Sequence, residues 1–354
     1  MTVLVSEYMK FKSSGAQLLL GFLLFWISCT SERSQYTISG NTMGTTYSVK
    51  LVSIESGINI QSIDNKIDSI LVSINKQMST WDPASDISKF NSLESIEPLS
   101  ISDDLFHVID NSINISKKTN GLFDITVFDL MRIWGFGPNP MSTFPKNDDI
   151  EQVLKFTGYE NINITNKKIS KGNIKVKLDL NAIAKGLAVD KIFQFMRSEG
   201  FEDVFVEIGG EVRFSGRNRR NQNWSIGIED PMINGMTQNE IAAILSLSKS
   251  AIATSGNYRN IVNLDGELLG HTINPRTGFP IQTDVISVTV LSQSCMVADA
   301  WATALMVMDY DTGYAKVEDE SGIDAVWILK DNNEKRYFSI SGDVTMKKLK
   351  YSIK

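Results

Sequence analysis

The chain has 354 residues, 42% hydrophobic and 21% charged, which allows a sizeable core in one large domain or two fused units. This balance excludes a disordered polypeptide. A net charge of −6, with no Lys/Arg stripe interleaved with aromatics, excludes a nucleic-acid binder, and any phosphate chemistry on such a chain needs a metal.

At the N-terminus Lys10 and Lys12 precede an apolar run from Leu18 to Ile27, closed by Ser28-Cys29. The order basic, apolar, small is that of a secretion signal. The run is shorter than the roughly 20 residues of a spanning helix, and polar Thr30-Ser31-Glu32-Arg33 follows at once. Residues 1–28 therefore read as a signal peptide rather than an anchor helix. Cys29 and the residues before it resemble the bacterial lipobox, with Trp26 where Leu is usual, and the resemblance implies a lipid on Cys29. Ordinary cleavage near Ser28 is the alternative. Cys295 is then the one cysteine left in the mature chain, so no internal disulfide is expected, and an exported protein with a large core does not need one.

Residues 29–35 read as a polar tether. Alternation over Thr45–Val52 predicts a strand, and Ile60, Ile63, Ile67, Ile70, Leu71, Ile74 and Met78 predict an amphipathic helix. A second helix is expected from Ser102 or Asp103 to a stop at Asn120-Gly121, which leads into Phe123-Asp124-Ile125-Thr126-Val127. Lys175–Leu180 alternates as a strand and feeds a helix from Asn181 to Glu199, closed by Gly200. Short strands follow at Val204–Ile208, Val212–Ser215, Trp224–Glu229, Ile241–Ser246, Asn260–Leu264 and Val285–Leu291. A last strong helix holds Val297 to Met308, before strands near Ala325–Leu329 and Tyr337–Ile340, and residues 346–354 read as a tail. Strand runs broken by a few long helices predict an α+β architecture, without repeats or low-complexity segments.

Eight stretches are dense in Gly, Asp, Thr and aromatics: Asn41–Tyr47, Met78–Pro83, Gly121–Thr126, Asp179–Gly186, Val206–Glu211, Ala253–Arg259, His271–Gly278 and Ala298–Ala304. In this order they resemble the ApbE-type FAD:protein FMN transferases, over most of the mature chain from about Gly40 to Met308. The resemblance implies a T-fold-like α+β domain, here over residues 36–345, with mixed and antiparallel sheets. It also implies FAD as donor, Mg²⁺, and a Thr or Ser acceptor in a partner protein.

Asp299 and Thr303 fall four apart on a predicted helix, so their oxygens share one face, and hard oxygen ligands suit Mg²⁺, which fills its shell with water and phosphate. A helix cap at Asp299 and a tolerated Thr303 account for the same spacing. By resemblance both match the family's metal ligands, with the main-chain carbonyl of Ala182 as a third; relatives can carry Asp where this chain has Ala302. Asp179 and Lys185 bracket a strand-to-helix junction, whose free N–H groups and positive dipole end favour phosphate. A cap and a solvated helix charge explain them equally. The resemblance implies that both contact FAD.

Met43, Trp81, Leu122, Phe123, Asp124 and Ile273 match positions that line the family's FAD site, where apolar faces suit flat rings and a carboxylate fixes orientation. Trp81 stands where Tyr is common, and core packing is the alternative for Leu122 and Phe123. Gly209-Gly210 is either a phosphate cradle or a plain turn between strands. His271, with His107 one of two histidines, precedes an Asn-Pro-Arg-Thr-Gly turn on a strand end or loop. A structural histidine is the bland reading. The resemblance implies a general base, with Asn274 where the family usually has Asp.

The expected reaction is attack by a partner's Thr or Ser hydroxyl on the FMN-side phosphorus of FAD, with release of AMP. The expected acceptor is an exported or membrane redox protein with a motif resembling Asp-x-x-Ser/Thr-Gly-Ala-Thr. The expected place is the periplasmic side of the inner membrane of a bacterial envelope, through the lipid anchor. The rivals are FAD hydrolysis to FMN and AMP and a non-catalytic FAD-binding lipoprotein.

Overall fold

The computed structural model describes residues 33–231, 240–246, 251–257, 261–264 and 266–354, so the signal peptide and Cys29 lie outside the described residues, as do Tyr258, Arg259 and Asn260. Ile63, Ile67, Leu71, Ile74 and Met78 form the buried face of α1 (Ile60–Met78), whose first turn is capped by the Asn59 side chain. After α2 (Asp86–Ser92), α3 (Asp103–Lys118) starts where Ser102 Oγ accepts the Leu105 N–H at 3.1 Å. It stops at Asn120 and Gly121, both at positive φ (51° and 74°). Two short helices follow, α4 (Phe128–Ile133) and α5 (Asn147–Leu154), then α6 (Asn181–Ser198), α7 (Cys295–Val307) and α8 (Tyr310–Asp319).

Among the described residues nine strands form one sheet, and their order across the sheet is their order along the chain. They are β1 (Ser34–Thr42), β2 (Thr45–Ser53), β3 (Asp203–Ile208), β4 (Glu211–Ser215), β5 (Ala251–Gly256), β6 (Val285–Ser292), β7 (Asp324–Lys330), β8 (Arg336–Ser341) and β9 (Ser352–Ile353). Neighbours pair antiparallel except β8 with β9. The helices are excursions from this meander, α1–α6 between β2 and β3, and α7–α8 between β6 and β7. The expected α+β class holds.

Alternation along the strands separates two cores. Ala251, Ala253, Val288, Val290, Ala325 and Trp327 face the helices, while Ile252, Leu291, Val326 and Ile328 face a small sheet of segments 226–229, 241–246 and 345–347. Trp301 of α7 and Trp327 of β7 are the largest side chains buried in the helical layer.

The sequence-based expectations need four corrections. Lys175–Leu180 is no strand, although Val176, Leu178 and Leu180 alternate as buried residues. Its polar groups are met singly instead: the Leu178 N–H donates to Asn91 Oδ1 (2.7 Å) and the Asp179 N–H to the Ile125 carbonyl (2.7 Å). Ser34 and Gln35 of the expected tether already pair with Ser53 and Val52, because Arg33 ion-pairs with Asp203 and fixes the start of β1. The expected tail also pairs, Met346 with Leu245 and Ile353 with Phe338. Strands β1 and β5 and helices α2, α4, α5 and α8 are not among the expected elements.

One side chain locks the helical layer. Asp190 of α6 is buried, and its carboxylate accepts the N–H groups of Cys295 (3.0 Å) and Met296 (3.1 Å), the Ser294 hydroxyl (2.7 Å) and Arg213 Nη1 (2.6 Å). The first-turn donors of α7, which that helix cannot satisfy itself, thus bond to a residue of α6. Asp190→Ala leaves these donors and the Arg213 charge uncompensated. The expected cost is about 3–5 kcal/mol of unfolding free energy, read from denaturant midpoints at unchanged slope.

Candidate active site

The site forms where α6 crosses α7. Gly186 lies so close to α7 that a Cβ there would stand 2.5 Å from the Cys295 carbonyl oxygen and 2.6 Å from Met296 Cα. The contact lets the Gly186 N–H donate to Asp299 Oδ2 at 3.1 Å. In α-helix geometry that N–H faces the carbonyl four residues back, which belongs to Ala182. Asp299 is thereby held against the first turns of α6, on the stretch that begins at Ala182. Asp299 is no cap, since Ser294 caps α7; it lies one turn further in and is 3% exposed. Thr303, a turn beyond and less buried, has Oγ1 3.3 Å from Ser255 Oγ on β5. Ala302 is buried in the core.

Lys185 Nζ stands 2.7 Å from Glu211 Oε1 and 3.9 Å from Asp299 Oδ2. Burial pushes the Asp299 carboxyl above its ordinary value, against the pull of Lys185 and the Gly186 N–H. Burial likewise pushes Glu211 up to about 7, against Lys185 and with Asp299 adding repulsion. For Lys185 burial works in the other direction, but the two carboxylates outweigh it and hold the ammonium charged. Glu211 Oε2 is buried without a hydrogen-bond partner.

Glu211 follows the Gly209-Gly210 turn between β3 and β4, where Gly209 takes positive φ (60°) and would crowd Thr45 if it carried a Cβ. The Gly209 N–H donates to the Thr46 carbonyl, so this turn is stitched to the β1–β2 hairpin, with Met43 and Gly44 at its tip, both at positive φ. Met43 is thereby placed at the same end of the sheet as Glu211.

A second group of segments meets around Asp124. Its Oδ1 accepts the Thr126 N–H and hydroxyl (2.8 and 2.6 Å), and its Oδ2 accepts the Tyr159 N–H (2.7 Å). Burial raises the Asp124 carboxyl, and these bonds oppose the rise. Asp179, one bond away through the Ile125 carbonyl, accepts the backbone N–H of Asn181 (2.8 Å) and its side-chain amide (3.2 Å). Burial raises this carboxyl also. Leu122 is half-buried, whereas the Phe123 ring and Ile273 are core residues, at 2% and 5% exposure. Trp81 projects from the loop after α1 at 65% exposure, a large aromatic face open to a ligand.

His271 follows a hairpin of segments 261–264 and 267–270 and leads into the 272–281 turn. The turn is held by the Ile273↔Pro280 bridge, by Trp134 Nε1 donating to the Gly278 carbonyl (2.6 Å), and by Arg276, whose Nε donates to the Asn120 carbonyl (2.9 Å). Arg276 thus ties this turn to the segment that carries Leu122, Phe123 and Asp124. Asn274 Oδ1 is engaged by the N–H groups of Arg276 and Thr277 and acts as a turn former. The imidazole meets the Phe136 ring edge-on at 6.4 Å. Asn257, two residues beyond Ser255, accepts the Thr272 N–H through Oδ1 (3.4 Å), so the end of β5 joins His271 to Thr303.

A cleft of about 770 Å³ lined by Asn257, Gln282, Thr283, Asp284, Lys330 and Arg336 opens beside this junction. Its lining includes Asn257 but not His271, Asp179, Lys185 or Asp299, so the cleft and the charged centre are not one cavity. Glu211 and Ser255 were missed as site residues in the sequence, although both fall within matched motifs. The available signal was a glutamate directly after a double glycine.

If Gly186 carries a methyl group, α6 and α7 must separate. Gly186→Ala is expected to cost roughly 1–3 kcal/mol of stability and to lower activity beyond that. Parallel melting and activity curves at a temperature where the variant is fully folded check this.

The ApbE family model matches residues 43–327. The chain is 38% identical over 324 residues to the FAD:protein FMN transferase of Vibrio cholerae serotype O1, covering 91% of this chain and 96% of that one. It is 30% identical over 303 residues to the protein of the same name in Escherichia coli K12, covering 82% and 85%. Among solved structures, the flavin transferase ApbE from Vibrio cholerae superposes with a TM-score of 0.80 at 37% identity, covering 88% of this chain and 98% of that one. The apo flavinyl transferase ApbE of Pseudomonas stutzeri gives 0.77 at 31%, covering 89% and 95%. Matched by the family model over most of its length and 38% identical to a named relative, the chain is a member of the ApbE family.

Proposed function

We infer that the chain is an FAD:protein FMN transferase, as its relatives are named. The observation that carries the reading is the α6–α7 crossing, where Asp299 meets Lys185 and the Gly186 N–H near a helix N-terminus suited to a diphosphate. The residues fit a hard divalent cation: one ammonium faces two buried carboxylates, and Glu211 Oε2 lacks a partner. Asp299, Thr303 and the Ala182 carbonyl would hold Mg²⁺, which would supply neutralisation of the diphosphate and of the departing AMP.

The chain's own groups then bind and orient. Lys185 lies ready for a phosphate oxygen, and the N-terminus of α6 adds backbone donors. Met43, Leu122 and Trp81 offer apolar faces to the rings, with Asp124 and Asp179 fixing the loops between them. The acceptor's Thr or Ser oxygen attacks the FMN-side phosphorus, a phosphoester bond forms, and the bond to the AMP oxygen breaks. His271 takes the hydroxyl proton. A hydroxyl is a weak nucleophile, so placement supplies much of the acceleration. We propose that the acceptor is an exported redox protein and that a lipid on Cys29 holds the enzyme at the periplasmic face of the inner membrane.

Mass spectrometry of an acceptor incubated with the protein, FAD and Mg²⁺ tests the reaction. A covalent FMN adduct is expected; free FMN with AMP, or intact bound FAD, overturns transfer. His271→Asn is expected to keep FAD affinity within a few fold and to slow single-turnover transfer by roughly 10²–10⁴-fold. Cys29→Ser is expected to move the protein from the membrane to the soluble fraction with its melting temperature unchanged.

A further inference from the structure

Glu211 belongs to none of the groups assigned above, yet it is 4% exposed and sits at the charged centre. One oxygen bonds Lys185 and the other has no hydrogen-bond partner. A buried carboxylate with an idle oxygen is costly as a purely structural element, because the unpaired acceptor has lost its water. A Gln at the same place could pair with Lys185 through its carbonyl at lower desolvation cost. The carboxylate must therefore matter for its charge.

The count of charges shows how. Asp299 and Glu211 bring two negative charges and Lys185 one positive, so the centre is left with one net negative charge. Without Glu211, Lys185 would neutralise Asp299 and remove the attraction for a divalent cation. With Glu211, the ammonium has its own counter-ion and Asp299 stays open to the metal. Burial keeps screening low, so each unit of charge at this range acts strongly.

We propose that Glu211 sets the charge of the divalent-cation site, holding Lys185 as its own partner so that Asp299 remains free to bind the metal. Glu211 is a positioning residue in this scheme, acting through Lys185. The proposal rests on the reading that Asp299 holds the cation.

The test is Mn²⁺ affinity of the full chain in detergent, read from the electron paramagnetic resonance of free Mn²⁺ at pH 8, without FAD. Glu211→Gln leaves the centre neutral, and affinity is expected to fall by about tenfold or more. Lys185→Met leaves two negative charges, and affinity is expected to rise by a similar factor. The double variant restores the original net charge and is expected to lie within about threefold of wild type, where the two opposite effects sum. Damage to the fold weakens binding in every variant, so opposite signs separate charge from structure. The proposal is overturned if both single variants weaken Mn²⁺ binding, or if Glu211→Gln leaves it unchanged. Asp299→Asn separates the underlying reading: binding lost there with the wrong order elsewhere defeats the role of Glu211 alone, whereas binding retained defeats the metal assignment and the proposal with it.

Discussion

The close approach of α6 to α7 at Gly186 is the constraint on which the rest of the site depends. Because no side chain stands between the two helices, backbone of one meets backbone of the other. One turn along the same face of α6, Asp190 reaches the N-terminus of α7 and bonds its first donors. Those two contacts fix both the spacing and the register of the helices. With both fixed, Asp299 faces Gly186 and Lys185, and Thr303 faces Ser255. A shift of α7 by one residue would rotate Asp299 by about 100° and out of the crossing.

Four buried aspartates lie in this region, and their bonds divide them by role. Asp124 and Asp179 have both oxygens engaged by neighbouring N–H or hydroxyl donors. Asp190 has four partners, one of them a cation. They hold loops and helices in place. Asp299 takes one backbone N–H and a distant ammonium, both on Oδ2. Its bonding capacity is the least used of the four, which is the property a metal ligand needs. Carboxylates of one type thus differ in what remains available after the fold has used its share.

The sequence made the periodic elements legible, and for a physical reason: α1 and α3 bury one stripe each, so their apolar residues recur at the helical interval, and Ser102 and Asn120-Gly121 mark the ends of α3 by local bonding. Lys175–Leu180 misled because alternation reports alternate burial, and a segment can have that without a neighbouring strand when side chains such as Asn91 meet its polar groups. Strand β5 reads as small and polar, Ala-Ile-Ala-Thr-Ser-Gly, because α7 packs tightly over its alanines. At the site, Asp299 and Lys185 were legible from motif and residue type. Asp190 and Glu211 were not, since what gives them roles is a contact to Cys295, 105 residues away, and to a lysine on another element. Long-range pairing of this kind leaves no local pattern.

The β1–β2 hairpin has a further consequence. Arg33 is fixed to Asp203 at one end of the sheet, and Met43 turns at the other, with β1 running the whole way between. Its nine residues span about 27 Å at roughly 3.3–3.4 Å each. From Cys29 to Arg33 there are four residues of chain, at most about 14 Å of reach. A lipid on Cys29, as proposed above, would keep the Arg33 end within that reach of the bilayer. With such an anchor, the Met43 end would have room to stand a strand's length further out, and a partner's hydroxyl could be met above the headgroups rather than at the membrane surface.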